Sequence, residues 1–264
     1  MTALEERTER AMAASSRAEI ESFYREPATA VLMALARNPH LQERDLLRLL
    51  ARKDLAHEVV RELAQHREVA RSYAVQFALV RHPKAPRVVS LPLMKFLYIF
   101  DLLQVAHTPG VPTDVKMMAE ETILKKLDGM PRGEKISLAR RGTGRICASL
   151  LFTADPELIG AALESPALTE GHLLKLLSRA GLPAPVVEQL AEHPRWSQCY
   201  YLRLALIRNP LTPFARVLAF VPEMTLTDLR DICLDHRMPD PVRKYIEAYC
   251  GARLNKQRGV LRSR

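Results

Sequence analysis

The chain is predicted to be all-α, a curved α-α superhelix of short helix pairs carrying an internal duplication. Three observations predict this. Leu182 to Pro213, LPAPVVEQLAEHPRWSQCYYLRLALIRNPLTP, nearly repeats Leu55 to Pro86, LAHEVVRELAQHREVARSYAVQFALVRHPKAP. The shared register, an offset of 127 residues, runs without a gap from about Pro39/Pro166 to Leu127/Leu254, with roughly 26 identities in about 89 positions, as internal repeats do. Composition agrees: 48% of residues are hydrophobic, only 6% are aromatic and there are only 10 glycines in 264 positions, a balance that favours helix over sheet.

Taken in order, residues 1–23 suit a polar, Ala-rich capping helix with a weak stripe of Leu4, Met12, Ile20 and Phe23. The first repeat block covers 24–127, a connecting helical segment covers 128–155, the second block covers 156–254, and 255–264 is a basic tail. Within the blocks, a small or acidic residue followed by Pro marks each expected helix start: Glu26-Pro27, Ala85-Pro86, Asp155-Pro156, Ala184-Pro185, Thr212-Pro213 and Asp240-Pro241. Proline in the first turn loses no hydrogen bond, and Asp or Thr before it can cap free amides. Starts at Glu58 and Asp114 follow by register. Leu46, Leu47, Leu49 and Leu50, with Leu173, Leu174, Leu176 and Leu177, mark one apolar face; Val186, Val187, Leu190 and Ala191 mark the face of the next helix. A pair so short cannot bury both faces alone, so neighbours must stack.

This pattern resembles the HEAT-like α-solenoids. The junction Arg208-Asn209-Pro210-Leu211-Thr212-Pro213 is similar to that of the leucine-rich repeat variant family. The resemblance covers roughly residues 24 to 254 and implies an architecture, not an activity. That family is associated with an iron–sulfur cluster on an N-terminal cysteine group, and no cysteine precedes Cys147 here. The shorter units of that family leave open whether the second helix of each pair is α or 3₁₀.

Cys147, Cys199, Cys233 and Cys250 lie far apart with no paired-ligand spacing, so neither metal nor cofactor is expected, and buried thiols in a reducing cytoplasm are. No carboxylate pair or nucleophile–base set stands out, and no catalytic residue is assigned. Glu5, Glu6 and Glu9 sit where a secretory peptide would be basic, and Leu91 to Ala106 is too short and too interrupted to span a membrane. A cytoplasmic, non-enzymatic protein is expected.

The net charge is +9, with Arg253, Lys256, Arg258, Arg262 and Arg264 crowding the C-terminal end. Arg37, Arg81 and Arg208 close equivalent helices, where they complement the helix dipole and would form an anion-binding strip if aligned. Arg140, Arg141 and Arg145 flank Gly-Thr-Gly in a basic turn that lacks the strand and the Gly-Lys-Ser/Thr ending of a phosphate loop. These arginines are the candidate nucleic-acid contacts.

The sharpest functional signal lies where the copies differ. Around Leu226–Cys233 the outward positions are Thr225, Thr227, Arg230 and Asp231; in the first copy they are Tyr98, Phe100, Leu103 and Gln104, and Glu223 has become Phe96. The inward set is unchanged in character, so Phe96, Tyr98, Phe100 and Leu103 need a further surface. That surface is the N-terminal helix, the segment near 135–145, a protein partner or a second copy of the chain. The expected function is a protein-interaction scaffold, with nucleic-acid binding as the second reading.

Overall fold

The computed structural model describes residues 2–235 and 238–262, with side chains described through 255. Every regular element among the described residues is helical. Contacts divide the chain into two compact units, Met1–Asp128 and Gly129–Arg264.

The first unit contains α1 (Ala3–Ala13), α2 (Arg17–Ser22), α3 (Thr29–Ala36), α4 (Glu43–Leu50), α5 (His57–Leu63), α6 (Arg67–Arg71), α7 (Tyr73–Val80), α8 (Arg87–Leu93), α9 (Ile99–His107) and α10 (Thr113–Lys126), with a 3₁₀ turn at Met94–Phe96. The single helix expected over 4–23 is two. Ala14 leaves the helix (φ −56°, ψ 119°), and Ser16 starts a new one through a capping box with Glu19, as Thr2 does with Glu5. Ile20 and Phe23 are buried as expected, whereas Leu4 and Met12 stay exposed. Helix α1 packs on α3, α3 on α5, α4 on α7, and α9 along α10. Their core includes Leu35, Leu46, Leu49, Leu63 and Leu79, all essentially without solvent contact, each worth about 1.5–3 kcal/mol of burial.

The second unit contains α11 (Arg132–Arg141), α12 (Gly144–Leu150), α13 (Pro156–Leu163), α14 (Glu170–Leu177), α15 (Ala184–Glu192), α16 (Tyr200–Arg208), α17 (Phe214–Phe220), α18 (Leu226–Cys233) and α19 (Asp240–Arg262), with 3₁₀ turns at Trp196–Gln198 and Val221–Glu223. The segment 128–155, expected as a connector, forms α11 and α12. These pack on α13, and α12 also on α14, so the segment belongs to the second unit. Helix α13 packs on α15, α14 on α16 and α18 on α19. The second helices of the pairs, such as α4 and α14, are α-helices.

The proline starts fall within about two residues of expectation, with one difference of role. Pro156 occupies the first turn behind Asp155, whose carboxylate accepts from Glu157 and Leu158 amides. Pro86 and Pro213 instead stand one step earlier as extended N-caps (ψ 130° and 132°). Helix α19 runs past the expected tail boundary to Arg262; the side chains of Lys256, Arg258, Arg262 and Arg264 lie outside the described residues. No described helix is long and apolar enough to cross a membrane.

Candidate interaction surface

The turn between α8 and α9 carries the exposed aromatic residues. Pro92 lies in the last turn of α8, the chain tightens into the 3₁₀ turn Met94–Phe96, and Leu97 and Met94 turn inward with 1% exposure each. Side chains on either side of Leu97 therefore face out: Phe96 is 68% and Tyr98 69% exposed, with Phe100 at 38% in the first turn of α9. Together they form an exposed apolar patch of closely spaced aromatics.

The turn is held from below. Tyr98 N donates to Tyr73 Oη at 3.0 Å, and the Tyr73 hydroxyl donates in turn to Asp101. Burial, then the Asp101 carboxylate, push the Tyr73 phenol up to about 12, so it stays a donor at neutral pH. The Tyr73 and Tyr98 rings lie 4.8 Å apart at 44°, which orients Tyr98 while leaving its outer face free.

Leu103 does not belong to this surface. It is 5% exposed, as buried as its neighbour Leu102. At about 100° per residue, the buried positions 102, 103, 105 and 106 span roughly 160° of α9, a wider arc than an amphipathic stripe read from the second copy implies. Helix α9 packs along α10.

The arginines separate into held and open side chains. Arg37 makes a two-pronged ion pair with Glu62 (3.0 and 3.3 Å), which lifts the guanidinium pKa and leaves no free fork for an anion. Arg81 donates to Thr108 Oγ1 at 3.3 Å and lies over the Phe77 ring at 5.0 Å. Arg208 is exposed at the end of α16. Arg140 and Arg141 close α11 and Arg145 lies in the first turn of α12; all three are exposed, and Arg141 and Arg145 are each engaged in an interaction. Gly144 backs directly onto α14 and the loop before it: a Cβ there would meet Ala167 O at 2.5 Å and His172 Nδ1 at 2.6 Å. The glycine thus serves close helix packing rather than a phosphate cradle.

The histidines at helix ends are structural. His66 caps α6, its Nδ1 accepting from Glu68 N at 3.3 Å, and His193 Nδ1 accepts from Arg195 N at 3.2 Å. No group of three potential metal ligands occurs among the described residues. Cys147 is fully buried, with its Sγ 3.3 Å from Ser165 Oγ, and burial pushes its thiol pKa up, away from thiolate chemistry.

Residues that sequence reasoning missed are Tyr73 and Asp101 as the support of the aromatic turn. The signal was present, since both are identical to their counterparts Tyr200 and Asp228, where the Tyr200 hydroxyl bonds Asp228 and also accepts from Thr225 N at 3.2 Å. Comparison with protein-family profiles, with curated proteins and with solved structures finds no match.

Proposed function

We propose that the chain is a non-catalytic scaffold, an internally duplicated helical-repeat protein of HEAT-like type with a curved α-α superhelix, that binds a protein partner through Phe96, Tyr98 and Phe100. Duplication is supported by the helix starts. Thr29, Glu43, His57, Tyr73, Arg87, Ile99 and Thr113 recur as Pro156, Glu170, Ala184, Tyr200, Phe214, Leu226 and Asp240, each 127 residues later. The 3₁₀ turn Met94–Phe96 recurs as Val221–Glu223, and the starts of α2 and α12, Arg17 and Gly144, keep the same spacing. On this reading 128–155 is the counterpart of the N-terminal helices, so the repeat extends upstream of the identities visible at Pro39 and Pro166.

The observation that carries the binding role is the exposed aromatic turn, because the second copy shows what the repeat itself requires there. At the corresponding positions it has Glu223, Thr225 and Thr227, and its Tyr200–Asp228 tie is intact without them. The aromatics are therefore surplus to the fold, and each contributes about 1.5–3 kcal/mol if a partner buries it fully.

The test is the double variant Phe96→Glu/Tyr98→Thr, which restores second-copy residues. Melting should shift little, since both side chains are exposed. Partner recovery in affinity capture from the native source should fall about tenfold or more. An identical set of partners at identical yield would overturn the reading. Net charge of +9 favours a second reading, nucleic-acid binding. It requires an affinity that falls steeply with salt and is removed by absence of binding to DNA or RNA at low salt.

A further inference from the structure

The two units differ at one more place, the groove between the end of α14, the turn after it and the end of α16. In the first unit the corresponding segments are bridged by their own polar groups. His82 is buried, with Nδ1 accepting from Lys84 N at 3.1 Å and Nε2, which must then carry the proton, donating to Arg52 O at 2.9 Å. Lys84 Nζ reaches Leu55 O at 2.7 Å, and Arg52 is held by the Asp54 carboxylate at 2.7 Å.

In the second unit all of these but Arg52 are replaced by a shorter or apolar residue, Asp54 by Gly181, His82 by Asn209 and Lys84 by Leu211, and the neighbouring Lys53 becomes Ala180. Gly181 adopts φ +82°, a conformation that an L side chain would strain, so the turn is committed to leaving that space clear. The result is a concavity of about 540 Å³, within the size range of small-molecule sites. Its walls are leucines from α14 and the flanking turns, Leu174, Leu177, Leu182 and Leu211.

Two guanidiniums border this concavity, Arg179 and Arg208. Arg179 answers Arg52 but has lost its carboxylate partner to Gly181; its guanidinium lies over the Phe152 ring at 4.6 Å, which holds it in place. Among the described residues neither guanidinium makes a hydrogen bond or a salt bridge within 4.0 Å, although Arg208 lies near enough to the Asp228 carboxylate to interact with it electrostatically. The acid at the border is Asp235, whose carbonyl accepts from Arg243 at 3.0 Å. Planar forks with unfilled donors match a carboxylate, and leucine walls match an apolar body.

We propose that this concavity is a binding site for a small carboxylate with an aliphatic body, the carboxylate taken by Arg208 and Arg179 and the chain lying on the leucines. The site is separate from the aromatic turn of the first unit and does not depend on its function.

Titration of the full chain with octanoate, followed by calorimetry and by amide chemical shifts, tests this. Saturable one-to-one binding is expected, with shifts concentrated in 174–182 and 205–211. Octanol, which lacks the charge, and acetate, which lacks the body, should each bind about tenfold or more weakly. Arg208→Gln and Arg179→Gln should each weaken octanoate by about tenfold, while Arg81→Gln in the first unit changes nothing. The site is refuted by absence of saturable binding, by octanol binding as tightly as octanoate, or by an undiminished affinity in folded Arg208→Gln. Shifts confined to other segments of the wild-type chain refute it equally, whatever the variants do.

Discussion

Replacing Trp196 with alanine is expected to lower stability by about 3–5 kcal/mol, the range for emptying a large aromatic site in a core. The indole is 2% exposed, its Nε1 donates to Leu163 O at 2.9 Å, and Arg195 lies over its outer face at 4.0 Å. It stands between the end of α15 and the start of α16 and ties both to the last turn of α13. Removal therefore creates a cavity and also strands a buried carbonyl. Trp196→Phe separates the two losses: it keeps most of the packing and forfeits the hydrogen bond, so it should cost about 1–2 kcal/mol. Urea unfolding followed by circular dichroism measures both. Equal losses for the two variants would mean that the hydrogen bond, not the volume, is the dominant contribution.

Asn38 gives the second large effect, at the other kind of site. It has no solvent exposure, and its amide donates to Ala11 O at 2.9 Å and Ala14 O at 2.7 Å while its Oδ1 accepts from His40 N at 2.8 Å. One side chain thus closes the C-terminal end of α1 onto the junction between α3 and α4. Asn38→Ala leaves those groups without partners, at a cost of about 3 kcal/mol. Asn38→Asp is expected to be worse despite its equal size, because an acceptor then faces two carbonyl oxygens in a buried site. Hydrogen exchange should show residues 3–13 losing protection before the rest of the first unit. If the Asp variant were as stable as wild type, the side chain would be a space filler rather than a hydrogen-bonding tie.

Local chemistry made much of this legible in the sequence. Leu46, Leu49 and Leu50 of α4, Leu173 and Leu176 of α14 and the Val-Val-Leu-Ala face of α15 are buried as their helical spacing requires, Leu47, Leu174 and Leu177 are only partly covered, and Asp155 caps α13 through its side chain. Features that depend on what covers an element were not legible. Leu103 reads as outward by comparison with Arg230, yet it is buried in the folded chain. Arg37 reads as a helix-end arginine with an anion-binding strip as the alternative, and only the position of Glu62 on the neighbouring helix α5 shows it to be paired. The helical segment 128–155 has too few identities to align with the N-terminus, and only the helix starts at Arg17 and Gly144 keep the 127-residue spacing. The open groove beside Arg208 left a trace, the exchange of Asp54 for Gly181, but its meaning needed the hydrogen bonds that His82 and Lys84 make in the first unit.

Both halves are proposed to share one plan, held by the same tie between the first helix of a pair and the start of a helix in the next. Double-mutant cycles on Tyr73→Phe with Asp101→Asn, and on Tyr200→Phe with Asp228→Asn, test this most directly. Both pairs should couple, by similar energies in the range of about 0.5–3 kcal/mol expected for residues in direct contact. Coupling in one pair and strict additivity in the other would contradict a shared plan.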